Sequence, residues 1–368
     1  MGVYWNTRVR RLSPYVPGEQ PRDGKFIKLN TNENPYPPSP KVVEAIKAVL
    51  EDKAGALRLY PDPACTELRE ALARCYGVKP EQVFAGNGSD EILAFAFGAF
   101  FEGAGDPSGA GPVLFPDITY SFYPVYAELW DVPFRAVPLA EDFSVNAGDY
   151  RVSAAGVIFP NPNAPTGRAL PSRAVKSILE YHAENAGIVI IDEAYAAFGA
   201  ESMVPFINEY PNLLTVHTLS KSASLAGLRA GFAVGNEELI EGLCRIRDSF
   251  NSYTVDRLAQ AGAAAAVSDA AYYEEVNRRV CAERERVSAA LAGMGFTVIP
   301  SSANFIFARP PGVKGADFFA RLRERGILVR HFNKPRISDF LRISIGAGGD
   351  MDELLKACRE ILLLRGES

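Results

Sequence analysis

The chain has 368 residues, with 39 Lys plus Arg against 44 Asp plus Glu and a net charge of −5, so it lacks the basic surplus that general binding to a nucleic-acid backbone requires. Hydrophobic residues at 48% and charged residues at 23% are ordinary for a folded chain and exclude a disordered one; at roughly 150 residues per domain the length suggests about two domains. The most apolar stretch, residues 92–101, is shorter than the ~18 residues a bilayer span needs, so no membrane partner is expected.

The first residues carry Arg8, Arg10 and Arg11 with no apolar run behind them, which predicts no secretory signal and a cytoplasmic protein. Cys65, Cys75, Cys244, Cys281 and Cys358 form no C-x-x-C pair and read as reduced thiols. His182, His217 and His331 stand far apart, and no metal is expected.

In chain order, residues 1–39 form an arm whose prolines, from Pro14 to Pro38, forbid continuous helix. Ser39 and Pro40 supply an N-cap and a first-turn proline, and Val42, Val43, Ile46, Val49 and Leu50 follow at helical spacing. A short strand at 83–84 precedes an apolar helix at 92–101, and buried strands are predicted at 112–115, 156–159, 188–191, 213–218 and 230–234. Strands alternating with helical patterns predict an α/β fold with a mostly parallel sheet covered by helices. Beyond residue 236 come helices at 258–267 and 271–292, strands at 296–299, 304–308, 327–330 and 340–345, and helices at 314–325 and 350–364. The expected division is an arm over 1–39 packing on the small domain and a partner subunit, a large domain over 40–236, and connecting helices with a small α+β domain over 237–368.

The strand 188–191 runs into Asp192, Glu193, Ala194 and Tyr195, which places two carboxylates and a phenol at the carboxyl edge where open α/β sheets bind ligands. An apolar strand ending in Asp-Glu also suits an ATPase, but Gly24-Lys25 is followed by Phe26 and preceded by Glu19 where a phosphate loop needs glycine. The next strand ends in Thr218-Leu219-Ser220-Lys221, with Arg229 eight residues later. Two hydroxyls, an arginine and glycines around an amine describe a small anion site beside a carbonyl-condensing group. Pyridoxal phosphate needs that amine, a carboxylate to keep its pyridine nitrogen protonated, and donors for its phosphate. Gly86-Asn87-Gly88-Ser89-Asp90-Glu91, at a strand-to-helix connection, supplies further N–H donors.

These segments, with residues 29–35, 60–63, 117–120, 161–167 and 341–344, resemble the fold-type I aminotransferases that use pyridoxal phosphate, and within them the histidinol-phosphate aminotransferase family. The resemblance implies that Lys221 carries the cofactor, Asp192 pairs with its pyridinium, Tyr195 bonds its phenolic oxygen and Tyr120 stacks on its ring. It implies that Ser89, Asp90, Thr218, Ser220 and Arg229 bind the phosphate, joined by Tyr60 from the neighbouring subunit of a homodimer. The family usually has asparagine directly before Pro-Thr-Gly, where this chain has Ala164; Asn161, with Asn163 second, is the expected replacement for that contact.

Arg342 resembles the arginine that binds the substrate's carboxylate, and Arg330 and Tyr15 resemble residues near the phosphate of histidinol phosphate. The expected activity is amino-group transfer between a small-molecule donor and a keto acid, L-histidinol phosphate with 2-oxoglutarate first. An aromatic amino acid and a threonine-phosphate decarboxylation are alternatives on the same scaffold. A regulator built on such a domain needs a DNA-binding module that the arm cannot hold.

Overall fold

The computed structural model describes residues 3–21, 26–104 and 111–363; Gly24, Lys25 and Leu364 lie outside them. The strands are β1 (Ile27–Lys28), β2 (Val83–Gly86), β3 (Val113–Pro116), β4 (Phe134–Val137), β5 (Gly156–Pro160), β6 (Ile188–Asp192), β7 (Leu213–Thr218), β8 (Gly231–Gly235), β9 (Thr297–Ile299), β10 (Phe305–Arg309), β11 (Ile327–Leu328), β12 (Arg330–His331) and β13 (Leu341–Ser344). A seven-stranded sheet has the order β2-β8-β7-β6-β5-β3-β4.

Pairings from β4 through β7 are parallel, while β8 runs antiparallel to both β7 and β2. The reversal has a local cause: residues 219–230 contain no helix, and without a crossover helix the chain returns beside β7 in the opposite direction. Edge strand β4, with its first three residues exposed, lacks the apolar run that marks the central strands, and the sequence pattern predicts no strand there.

Both faces of the sheet's centre are buried, which is why β3, β5 and β6 read as continuous apolar runs. On β6, Val189 and Ile191 join one core while Ile188 and Ile190 join the other. Helices Glu237–Phe250 and Arg257–Val267 pack on these same two cores through Ile240 and Leu243, and through Ala259 and Ala263. Ser39 caps the helix Pro40–Lys53 as expected, its Oγ accepting from Lys41 N at 3.2 Å. No helix among the described residues is long and apolar enough to cross a membrane.

A second core gathers under a four-stranded antiparallel sheet of order β12-β13-β10-β9. The single strand expected at 327–330 divides in two: β11 pairs in parallel with β1 of the arm, and β12 pairs with β13. The arm is thereby sewn to the small sheet, and residues 29–34 are carried to the crevice between the sheets.

Candidate active site

One cavity at the carboxyl edge of β5, β6 and β7 is lined by Tyr15, Asn30, Thr31, Asn32, Ser89, Asp90, Tyr120, Ala164, Asp192, Tyr195, Thr218, Ser220, Lys221, Arg229, Arg330 and Arg342, among others. Of the residues expected there, Asn161, its second candidate Asn163 and Tyr60 are missing. Asn161 does not line the cavity as expected: its Nδ2 donates to Leu170 O at 3.0 Å and its Oδ1 accepts from Leu170 N at 2.8 Å, so the carboxamide is turned onto its own loop. Asn163, the second candidate, donates to Ile118 O and Thr166 Oγ1, both at 3.0 Å. Tyr60 is 77% exposed and stacks on Tyr253 with ring centroids 4.5 Å apart, away from this cavity.

The anion side of the cavity is built where β8 meets the start of the helix Gly88–Phe100. A Cβ on Gly231 would stand 2.7 Å from Ser89 N, and one on Gly88, where φ is +78°, would stand 2.7 Å from an Arg229 nitrogen. Only glycine permits both approaches. Arg229 reaches Ser220 Oγ at 3.4 Å and Asp90 Oδ2 at 3.2 Å, and Thr218 Oγ1 donates to Ser220 Oγ at 3.0 Å. Tyr120 donates its hydroxyl proton to Asp90 Oδ1 at 2.5 Å, so Asp90 is held by a phenol and a guanidinium.

Lys221 projects from the loop after β7, and its Nζ donates to Thr31 O at 2.9 Å. Burial lowers its pKa to about 8, with Arg342 acting the same way and Glu33 and Asp90 opposing. Asp192 ends β6 and is 4% exposed. Burial pushes its carboxyl up to about 7, and its partners are the Tyr123 hydroxyl at 3.2 Å and Ala194 N at 3.1 Å. Neither is a cation, so a protonated ring nitrogen is the partner this carboxylate lacks. A condensing amine, a carboxylate without a counter-ion and a donor-rich cradle fit pyridoxal phosphate.

Glu193 points to the other face of the sheet, accepting from Ser202 Oγ at 2.5 Å and Met203 N at 2.6 Å, and burial raises its pKa to about 7. A carboxyl whose pKa rises on folding stabilises the fold fully below its unfolded value and loses that contribution as pH climbs through the folded one. Glu193→Gln should therefore lessen the fall in thermal stability between about pH 4.5 and pH 7. An undiminished slope in melting temperature against pH would remove this account.

Arg330 and Arg342 are register partners across β12 and β13, so both guanidinia leave one face of the sheet beside Lys221. Arg342 gives one bond to Asn30 O at 2.9 Å and leaves its buried Nε unpartnered. Arg330 gives one to Val16 O at 3.3 Å. The arm residues Asn30, Thr31 and Asn32 stand in the sequence motif at 29–35, but neither periodicity nor charge in that motif marks them as wall residues. Pairing of the arm with β11 places them there.

The family model for aminotransferase class I and II matches residues 24–361. Histidinol-phosphate aminotransferase 1 of Burkholderia pseudomallei is 53% identical over 362 residues, covering 98% of this chain and 99% of the relative. The histidinol-phosphate aminotransferase of Clostridium acetobutylicum is 52% identical over 362 residues, covering 98% and 100%. Among solved structures, histidinol-phosphate aminotransferase from Sinorhizobium meliloti in complex with pyridoxal-5'-phosphate aligns with a TM-score of 0.84 at 24% identity, over 98% of this chain and 99% of that one. That structure speaks to the fold.

Proposed function

We propose, from the premise that this chain belongs to the class I and II aminotransferases and within them to the histidinol-phosphate aminotransferase family, that it transfers an amino group between L-histidinol phosphate and 2-oxoglutarate. The observation that carries the substrate reading is the pair Arg330 and Arg342. Like charges directly opposite on neighbouring strands repel, and here both face a cavity with an amine and no anion of their own, which calls for substrates with anionic ends.

Pyridoxal phosphate, when bound, supplies an electron-accepting ring that stabilises negative charge on the substrate carbon. Asp192 holds the proton on its ring nitrogen, and the cradle of Ser89, Thr218, Ser220 and Arg229 holds its phosphate. Lys221, with a pKa lowered to about 8, exchanges protons near neutral pH as an acid and as a base. Tyr195 faces the phenolic oxygen, and Tyr120 supplies a ring wall. Arg342 clamps the carboxylate of glutamate through its free Nε side. Arg330 and Tyr15, whose ring stacks on Phe122 at 4.3 Å, take the phosphate end of histidinol phosphate.

The same reading makes the enzyme a cytoplasmic homodimer, with the arm to residue 39, a large domain over 40–236, and the small domain and its connecting helices beyond. Leu57, Leu59, Tyr60, Phe250 and Tyr253 are all exposed and support a subunit contact through which Tyr60 serves the neighbouring site.

Half-reaction spectra with glutamate, histidinol phosphate, phenylalanine, tyrosine and threonine phosphate test the substrate. Arg330→Ala should weaken use of histidinol phosphate roughly ten- to hundredfold, the loss of one charge-assisted bond, while sparing the glutamate half-reaction. Equal damage to both would make Arg330 a general clamp, and an unchanged enzyme would favour an aromatic substrate without phosphate.

A further inference from the structure

We infer that Asn32 is a positioning residue that fixes the direction of the Tyr195 hydroxyl, so that the phenol's proton is presented to the cavity. The inference rests on the reading of that cavity as a pyridoxal phosphate site.

Asn32 is 1% exposed and has φ +56°, a left-handed conformation that asparagine tolerates. Its backbone N–H donates to Ser344 Oγ at 2.8 Å, and the Ser344 hydroxyl donates to Asn32 Oδ1 at 2.9 Å. Because the Ser344 hydroxyl gives its one proton to Oδ1, the carboxamide is set with Oδ1 as the acceptor and Nδ2 as the donor. Nδ2 then donates to Tyr195 Oη at 2.9 Å. The main-chain oxygen of Asn32 accepts from Asn304 Nδ2 at 2.9 Å, which fixes the residue from the other side.

Tyr195 Oη therefore accepts from the arm, and Asn32 is its one hydrogen-bond partner among the described residues. The phenol's own proton is left for a partner in the cavity. Phe305 meets the Tyr195 ring edge-on at 5.1 Å and keeps the ring from swinging. With alanine at 164 and Asn161 bonded to Leu170, no carboxamide from the 161–167 loop shares this task, and Tyr195 has to arrive with the correct polarity. The charged and titratable groups facing its hydroxyl are Arg342 from β13, Asp192 from β6, Asp90 from the helix Gly88–Phe100, and the Tyr120 and Tyr123 phenols, with Lys221 in the same cavity.

Absorbance titration of the holoenzyme against pH tests the inference. A donor on the cofactor's phenolic oxygen competes with the neighbouring nitrogen's proton for that oxygen's charge, so loss of the donor raises the midpoint. Tyr195→Phe should raise it by about one pH unit, a tenfold change in proton affinity. In Asn32→Asp the new carboxylate, favoured as the ion by Arg342, accepts the Tyr195 proton and turns it away from the cavity. Its midpoint should rise to match Tyr195→Phe, and the double variant should rise no further.

Ser344→Ala frees the carboxamide to flip and should shift the midpoint in the same direction by less, whereas Ser344→Thr, which keeps the hydroxyl, should restore it. This pair decides the matter even where Asn32→Asp does not fold. A wild-type midpoint in Asn32→Asp, additive shifts in the double variant, or equal effects of alanine and threonine at 344 would overturn the inference. A wild-type protein without any cofactor absorbance would instead overturn the reading of the site.

Discussion

Lys221→Ala should lose transamination by roughly four orders of magnitude or more, because in the proposed mechanism one side chain both holds the cofactor and moves the proton. The amine lies at the end of a loop fixed at both ends of the residue: Nζ donates to Thr31 O at 2.9 Å and the Lys221 carbonyl accepts from Asn34 Nδ2 at 3.0 Å. Burial brings its pKa from 10.5 to about 8, which raises the neutral, nucleophilic fraction at pH 7 by roughly two to three orders of magnitude. Capture of pyridoxal phosphate by the apoprotein should accelerate as pH rises toward about 8 and level off above it. Lys221→Arg should fail as completely as alanine, since a guanidinium keeps the charge but does not lose its proton. Borohydride reduction followed by peptide mapping checks the assignment, and a label on another lysine, Lys28 included, would sink it.

Asp192→Ala should keep the fold and the phosphate cradle yet slow the glutamate half-reaction by roughly 10²- to 10³-fold, the scale of losing one preorganised charge at a developing anion. The physical ground is its position at the end of β6, 4% exposed, with a phenol and an N–H as its partners. A carboxylate kept there at such a desolvation cost is stabilised only when a cation sits against it. Asp192→Asn should behave like alanine, because an amide of the same shape carries no charge to hold a ring proton. Stopped-flow absorbance with glutamate, beside circular dichroism to confirm folding, measures this. Turnover near wild type in either variant would falsify the role.

Much of this was legible in the linear chain because its carriers are local. The β6 run is apolar up to Asp192 since both faces of the central sheet are buried, and β7 ends in Thr218 three residues before Lys221. Strand ends, glycine turns and the Ser39-Pro40 helix start are short-range features, and short-range features survive in sequence. Arg229 was accessible for the same reason, eight residues after the lysine it accompanies.

Asn161 shows the opposite case. Its residue type and its place at the end of β5 suited the cofactor contact, but whether a carboxamide faces a cavity or its own loop depends on where Leu170 returns, which no local pattern states. Sequence by itself determined the candidates for the amine, the carboxylate and the anion cradle, because each stands at a strand end or in the few residues after it. Only the tertiary structure decided that the arm's Asn32 bonds Tyr195, that Thr31 bonds Lys221, and that Arg330 stands opposite Arg342. Those three contacts join segments between about 160 and 190 residues apart, or two strands brought into register by a sheet, and a contact of that kind exists only once the β1–β11 and β12–β13 pairings have formed.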